Sequence, residues 1–173
     1  MPKKNRILAI DPGTREMGVA VLEDGGLLYS AVEIFRKLPS REERLKQGRA
    51  AVTRLIGDFR PAVLAVEKTF IGKSRNAALL SVFADEIAAL GRRRRIAVRA
   101  FAPNTVKKIV AGHGWARKEE VAQAVARKFP KLRAYLPPDR NWKRRHQFNM
   151  FDAVALAIAC SAAEGDPRAR RHA

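Results

Sequence analysis

The chain has 173 residues, 35 of them Lys or Arg against 17 Asp or Glu, for a formal net charge of +18. Its length supports one domain around one core, and an apolar share of 47% excludes a chain that stays unfolded. The cationic excess is the electrostatic footprint of a nucleic-acid binder, with a merely solvated basic surface the lesser reading.

Lys3-Lys4-Asn5-Arg6 precedes only four apolar residues before Asp11, too short a run for a signal peptide. Alternation and β-branched content predict strands over Arg6–Ile10, Gly18–Glu23 and Leu27–Phe35, with Asp24-Gly25-Gly26 as the hairpin turn between the last two. Ser40-Arg41-Glu42-Glu43 is a capping box. It opens a helix with Leu45, Val52, Leu55, Ile56 and Phe59 at helical spacing, ended by Pro61. Ala62–Val66, apolar throughout, suits the buried centre of a sheet. The next helix starts near Asn76, turns Leu79, Phe83, Ile87 and Leu90 inward, and is expected to end at Gly91.

Ile96–Ala102 is the fifth strand. Helices are expected over Pro103–Ala111, closed by Gly112, and over Ala116–Phe129. Pro130–Phe148 reads as irregular, and a final helix spans Asn149–Ala163. Cys160 on that helix is expected to be a small buried hydrophobe, in keeping with a reducing cytoplasm. The charge-free run Ala153 to Ala163 is shorter than the roughly 20 residues of a membrane span. Residues 1–164 are thus expected to form one soluble, cytoplasmic domain, with 165–173 a basic, disordered tail. A meander of three strands followed by alternating units predicts an α/β fold, a five-stranded mixed sheet with helices on both faces.

Three acids stand at the ends of apolar elements. Ile7-Leu8-Ala9-Ile10 runs into Asp11, Ala62-Val63-Leu64-Ala65-Val66 runs into Glu67, and Asp152 opens the Ala-rich final helix. A carboxylate where a buried strand emerges is costly unless a cation or donors hold it. If the first and fourth strands are neighbours, Asp11 and Glu67 share one edge of the sheet, where two carboxylates cannot both stay ionised without a cation. Mg²⁺ suits such a site, because it takes a few carboxylates and keeps its remaining positions for water and phosphate. Two ions roughly 4 Å apart would clamp an in-line phosphodiester displacement. Singly, each acid has a plain structural reading as turn, solvated carboxylate or helix cap; the combination is what points to chemistry.

These residues bear a resemblance. Ile10-Asp11-Pro12-Gly13-Thr14 with Gly18 resembles the first motif of the RuvC family of Holliday-junction resolvases. Val66-Glu67-Lys68-Thr69-Phe70 and Gly72-Lys73-Ser74-Arg75-Asn76 are similar to its second motif. Val106-Lys107 through Gly112-His113-Gly114 to Lys118 is similar to its basic stretch, and Asp152-Ala153-Val154-Ala155 to its C-terminal acidic helix. The resemblance covers roughly residues 6 to 160. It implies a ribonuclease H-like fold, a homodimer, Mg²⁺ or Mn²⁺, and paired nicks in four-way DNA junctions during recombination and repair.

Carried over by position, Asp11, Glu67 and Asp152 match metal ligands, two ions per site being implied. Phe70 matches an aromatic that stacks on bases, and Lys107 and Lys118 match basic positions facing the scissile phosphate. Lys73, Arg75, Lys108, Lys143, Arg144 and Arg145 add phosphate contacts. The family's fourth ligand, an acid or a histidine three residues before Asp152, is here Asn149. An amide oxygen binds Mg²⁺ without charge. His146 and then Asp139 are the next candidates for that place. Trp142, among Arg140 and Lys143-Arg144-Arg145, and Trp115, before Lys118, suit either stacking on nucleic acid or anchoring a helix.

The leading expectation is a metal-dependent, structure-selective endonuclease acting on branched DNA, with branch-migration machinery a possible partner. A related nuclease acting on structured RNA, and a junction-binding protein with little cleavage, are the second and third readings. The Asp11-Pro12-Gly13-Thr14 turn is also similar to the phosphate loop of actin-like ATPases, which need two such domains, more than this length holds.

Overall fold

A computed structural model describes residues 5–35, 37–68, 75–136 and 146–165; for Arg75, Asn76 and His146 it describes the backbone alone. The elements run β1 (Arg6–Asp11), β2 (Glu16–Glu23), β3 (Gly26–Ile34), α1 (Arg41–Phe59), β4 (Val63–Glu67), α2 (Arg75–Arg93) and β5 (Ala97–Phe101). After these come α3 (Pro103–Ala111), α4 (Lys118–Lys128), a 3₁₀ helix (Pro130–Tyr135) and α5 (His146–Gly165).

The sheet order is β3-β2-β1-β4-β5, antiparallel within the meander and parallel from β1 to β4 to β5. The hairpin turns through Asp24 and Gly25, both at positive φ, as the right-handed strand twist favours. Ser40 Oγ accepts from the Glu43 amide while the Glu43 carboxylate accepts from the Ser40 amide, so the capping box starts α1 as expected.

Strand alternation divides the core in two. Leu8, Ile10, Val19, Val21, Leu64 and Val66 face α1 and α2, where Val52, Leu55, Phe83 and Ile87 cover them. Ile7, Ala9, Ala20, Leu22, Val63 and Ala65 face α3, α4 and α5. Ala9, Gly18 and Ala20 are small, so α5 comes close to β1 and β2. At Gly18 the contact is backbone to backbone: a Cβ there would overlap the Asn149 carbonyl. The result is the five-stranded mixed sheet, helices on both faces, of the ribonuclease H-like fold.

Three expectations need correction. Gly91 does not end α2. The helix continues to Arg93, and Gly91 sits inside it because a side chain would press on Leu64 and Val98, with Cβ contacts of 2.7 and 2.9 Å. The chain turns out of that helix at Arg95 instead, at φ 59°. The segment Pro130–Phe148 is not irregular throughout, since Pro130–Tyr135 forms the 3₁₀ helix that buries Leu132. The final helix starts at His146 rather than Asn149 and has 20 residues. It is thereby long and apolar enough to cross a membrane, yet half of that stretch is buried within the protein, where it forms the core of one layer. Cys160 is fully buried and burial pushes its thiol up to about 12, which leaves it a hydrophobe as expected.

Candidate active site

The parallel pairing of β1 with β4 aligns Ile10 with Val66, so the next residues, Asp11 and Glu67, emerge side by side at the C-terminal edge of the two central strands. Alternation carries both onto the α5 face, in step with Ala9 and Ala65. Asp152 descends from α5 onto the same spot. With Lys107 of α3 and Lys118 of α4, these three acids line a cleft of about 210 Å³ walled by Pro103, Val106, Val121 and Ala155.

Electrostatics show what the cleft holds. Burial, then the neighbouring charges of Asp152 and Glu67, raise the Asp11 carboxyl well above the usual carboxylate range, with Lys118 opposing. Burial and Asp152 lift Glu67 to about 7, against the pull of Lys118 and Lys107. Lys118 donates to Asp152 Oδ2 at 2.9 Å. Desolvation lowers its pKa, but Asp152, Asp11 and Glu67 outweigh this and hold it above the ordinary lysine value. The cleft thus concentrates more negative charge than its lysines balance.

Such a donor set fits a hard divalent cation. All three side chains offer oxygen, and each gains when positive charge lies between them. Among the described residues, no three His, Cys, Asp or Glu side chains already form an ion cage.

The other expected residues fall in different places. Lys108 points outward from α3, exposed and away from the cleft lining, because only its neighbour Lys107 lies on the inner side of the helix. Asn149 does not line the cleft; its Nδ2 donates to Glu16 Oε1 at 2.9 Å. Glu16 escaped the sequence reading. The signal was strand alternation in β2, which puts Glu16 on the same face as Gly18 and Ala20, beneath α5. Trp115 is 82% exposed, so it anchors no helix; its ring leans on His113 at 4.9 Å between centroids. Phe70, Lys73, Asp139, Trp142, Lys143, Arg144, Arg145 and the side chains of Arg75 and His146 lie outside the described residues.

The family model described as crossover junction endodeoxyribonuclease RuvC matches residues 7–160. The crossover junction endodeoxyribonuclease RuvC of Acidiphilium cryptum is 36% identical over 135 residues, 75% of this chain and 81% of that one. That of Pelodictyon phaeoclathratiforme is 32% identical over 167 residues, 94% of this chain and 82% of its own. Among solved structures, Thermus thermophilus RuvC in complex with Holliday junction substrate superposes with a TM-score of 0.72 at 27% identity, covering 91% of this chain and 93% of that one. The sheet order, the acid-lined edge and these likenesses agree, and the chain belongs to the crossover junction endodeoxyribonuclease RuvC family.

Proposed function

We propose that the protein resolves four-way DNA junctions by paired nicks, with Asp11, Glu67 and Asp152 as ligands of two Mg²⁺ ions, Mn²⁺ being able to replace them. Membership of the family makes it a metal-dependent endonuclease of recombination and repair. The observation that carries the finer reading is the convergence of the three acids with Lys107 and Lys118 in one cleft.

When bound, the ions would activate the attacking water and offset charge on the leaving oxygen. The protein's own part is positioning. The β1 and β4 backbones fix Asp11 and Glu67, while α5 sets the height of Asp152. Lys118 and Lys107 would face the scissile phosphate and stabilise its charge in the transition state. Asn149 would be a weaker fourth ligand. Phe70 would stack on bases at the crossover, and Lys73, Arg75, Lys108, Lys143, Arg144 and Arg145 would hold phosphates. A homodimer would supply two sites, as a near-symmetric junction requires. Residues 1–164 would form the nuclease domain of this cytoplasmic enzyme, with 165–173 a basic tail.

The test is cleavage of a labelled synthetic four-way junction, a linear duplex of equal length and a structured RNA, in Mg²⁺, in Mn²⁺ and in EDTA. Symmetric metal-dependent nicks in the junction alone are expected. Equal cleavage of the RNA, or tight junction binding with no nick in either metal, would refute the proposal.

Metal binding should also leave a thermal signature. The Glu67 carboxyl, raised to about 7, favours the protonated form in the folded protein. The stability this contributes is complete below the ordinary carboxylate pKa and is lost as pH rises through about 7. A divalent ion offsets that loss by binding the ionised form. The rise in Tm on adding Mg²⁺ should therefore be larger at about pH 8 than at about pH 5. Scanning fluorimetry that showed equal rises at both would contradict it.

A further inference from the structure

Beside the acid cleft the protein leaves an indole in water. Trp115 is the most exposed of the large apolar side chains among the described residues. Tryptophan is highly buried on average and is enriched where a surface meets a partner. The residues around it are fixed. Gly112 closes α3 at φ 91°, its amide donating to the Lys108 carbonyl at 3.0 Å. Gly114 packs on Asn104, whose carbonyl oxygen would stand 3.2 Å from a Cβ at that position. Ala116 is buried in the core, and the Arg117 amide donates to Glu120 Oε2 at 2.8 Å. His113, against which the indole leans, has its Nε2 3.6 Å from Glu120 Oε1. The turn thus holds its ring outward on a braced backbone.

Both ends of this turn reach the cleft. Asn104, under Gly114, follows Pro103, and Lys118 comes three residues after Trp115; Pro103 and Lys118 both line the cleft. Three residues span at most about 11 Å, which bounds the distance from Trp115 to Lys118. We propose that Trp115 stacks on a nucleobase of the DNA strand that enters the cleft, within about three nucleotides of the phosphate held there. Lys107 and Lys118 would meet the backbone and the indole a base face, the division of labour that cations and aromatics show on single strands. The bases of a linear duplex are stacked on one another, whereas a branch point offers an open base face. Trp115 therefore favours branched over linear DNA without reading sequence. The inference rests on the reading of the cleft as a site that cuts DNA.

The test is the affinity of the full-length protein for a synthetic four-way junction and for a linear duplex of equal length, in EDTA at several salt concentrations. Trp115→Ala should bind the junction about 5-fold to 150-fold more weakly than the wild type. Its affinity for the duplex, the salt dependence of binding and the Tm should stay as in the wild type, because an exposed, uncharged side chain is lost. Trp115→Phe, which keeps an aromatic face, should recover most of the loss. Unchanged junction affinity in Trp115→Ala, an equal loss on both DNAs, or no recovery in Trp115→Phe overturns the proposal. So does a smaller species in analytical ultracentrifugation of Trp115→Ala, which would assign the indole to a contact between copies of this chain. Metal-dependent junction nicking by the wild type, run alongside, keeps the two readings apart. Nicking with Trp115→Ala binding normally removes only Trp115, and a wild type that neither binds nor nicks the junction overturns both.

Discussion

Asp11→Asn should abolish junction cleavage, leave junction binding in place and raise the melting temperature of the protein. The first effect follows from the position of Asp11 at the meeting point of β1, β4 and α5. On the proposed two-ion reading of the site, removing one charged ligand should slow cleavage by about 10³-fold or more, the equivalent of about 4 kcal/mol of transition-state stabilisation. Binding should persist because the 35 basic residues, not the cleft, supply most of the attraction for phosphate. The third effect is the opposite of what most substitutions do. Burial and the charges of Asp152 and Glu67 disfavour ionised Asp11, so the folded protein carries a strain that a neutral amide of the same shape relieves. A rise of about 2–4 °C in EDTA is expected, the size of shift that 1 kcal/mol produces in a chain of this length. A fall in Tm would show that Asp11 is held by favourable contacts instead, and retained cleavage would remove it from the chemistry.

Gly18→Ala should cost both stability and activity. The added Cβ would overlap the Asn149 backbone carbonyl, and backbone of a packed helix cannot swing aside as a flexible side chain can. Either α5 lifts from β2 or the strand bends, at about 3 kcal/mol, the upper part of the usual range for overpacking. A drop in Tm of about 6–12 °C is expected from that figure. Because Asp152 and Asn149 ride on the displaced helix, cleavage should fall more than folding alone explains. Gly57→Ala is the matched control. It lies exposed on α1 with open space where its Cβ would go, and should be neutral or slightly stabilising. Equal effects at the two glycines would refute the close contact.

Much of this architecture is visible in local sequence because local chemistry dictates it. The capping box at Ser40 needs only four consecutive residues, and Asp24-Gly25 announces its own turn. Asp11 and Glu67 were legible as a pair because each ends an apolar strand and the topology leaves β1 and β4 as neighbours. Errors arose where the deciding contact is distant. Gly91 carries the sequence mark of a helix end, yet it is glycine because Leu64 and Val98 press against it from the sheet. Lys107 and Lys108 are adjacent and chemically alike, and only the rotation of α3 about its axis separates the one in the cleft from the one outside. The bond between Glu16 and Asn149 joins a strand to a helix that the chain reaches much later, so alternation in β2 gives the face of Glu16 but not its partner.

The placement of α5 over β1 and β2 has a consequence for when this protein can act at all. Asp11 and Glu67 lie in the first half of the chain, whereas Asp152 belongs to a helix that ends at Gly165. While the ribosome is still making that helix, the strands present a bare apolar surface at Ile7, Ala9, Ala20 and Leu22, and the cleft has only two of its three acids. On the proposed reading of Asp152 as a metal ligand, a partly synthesised chain would attract phosphate through its basic residues but lack part of the site that cuts. Completion of the last core layer also completes the acid-lined cleft.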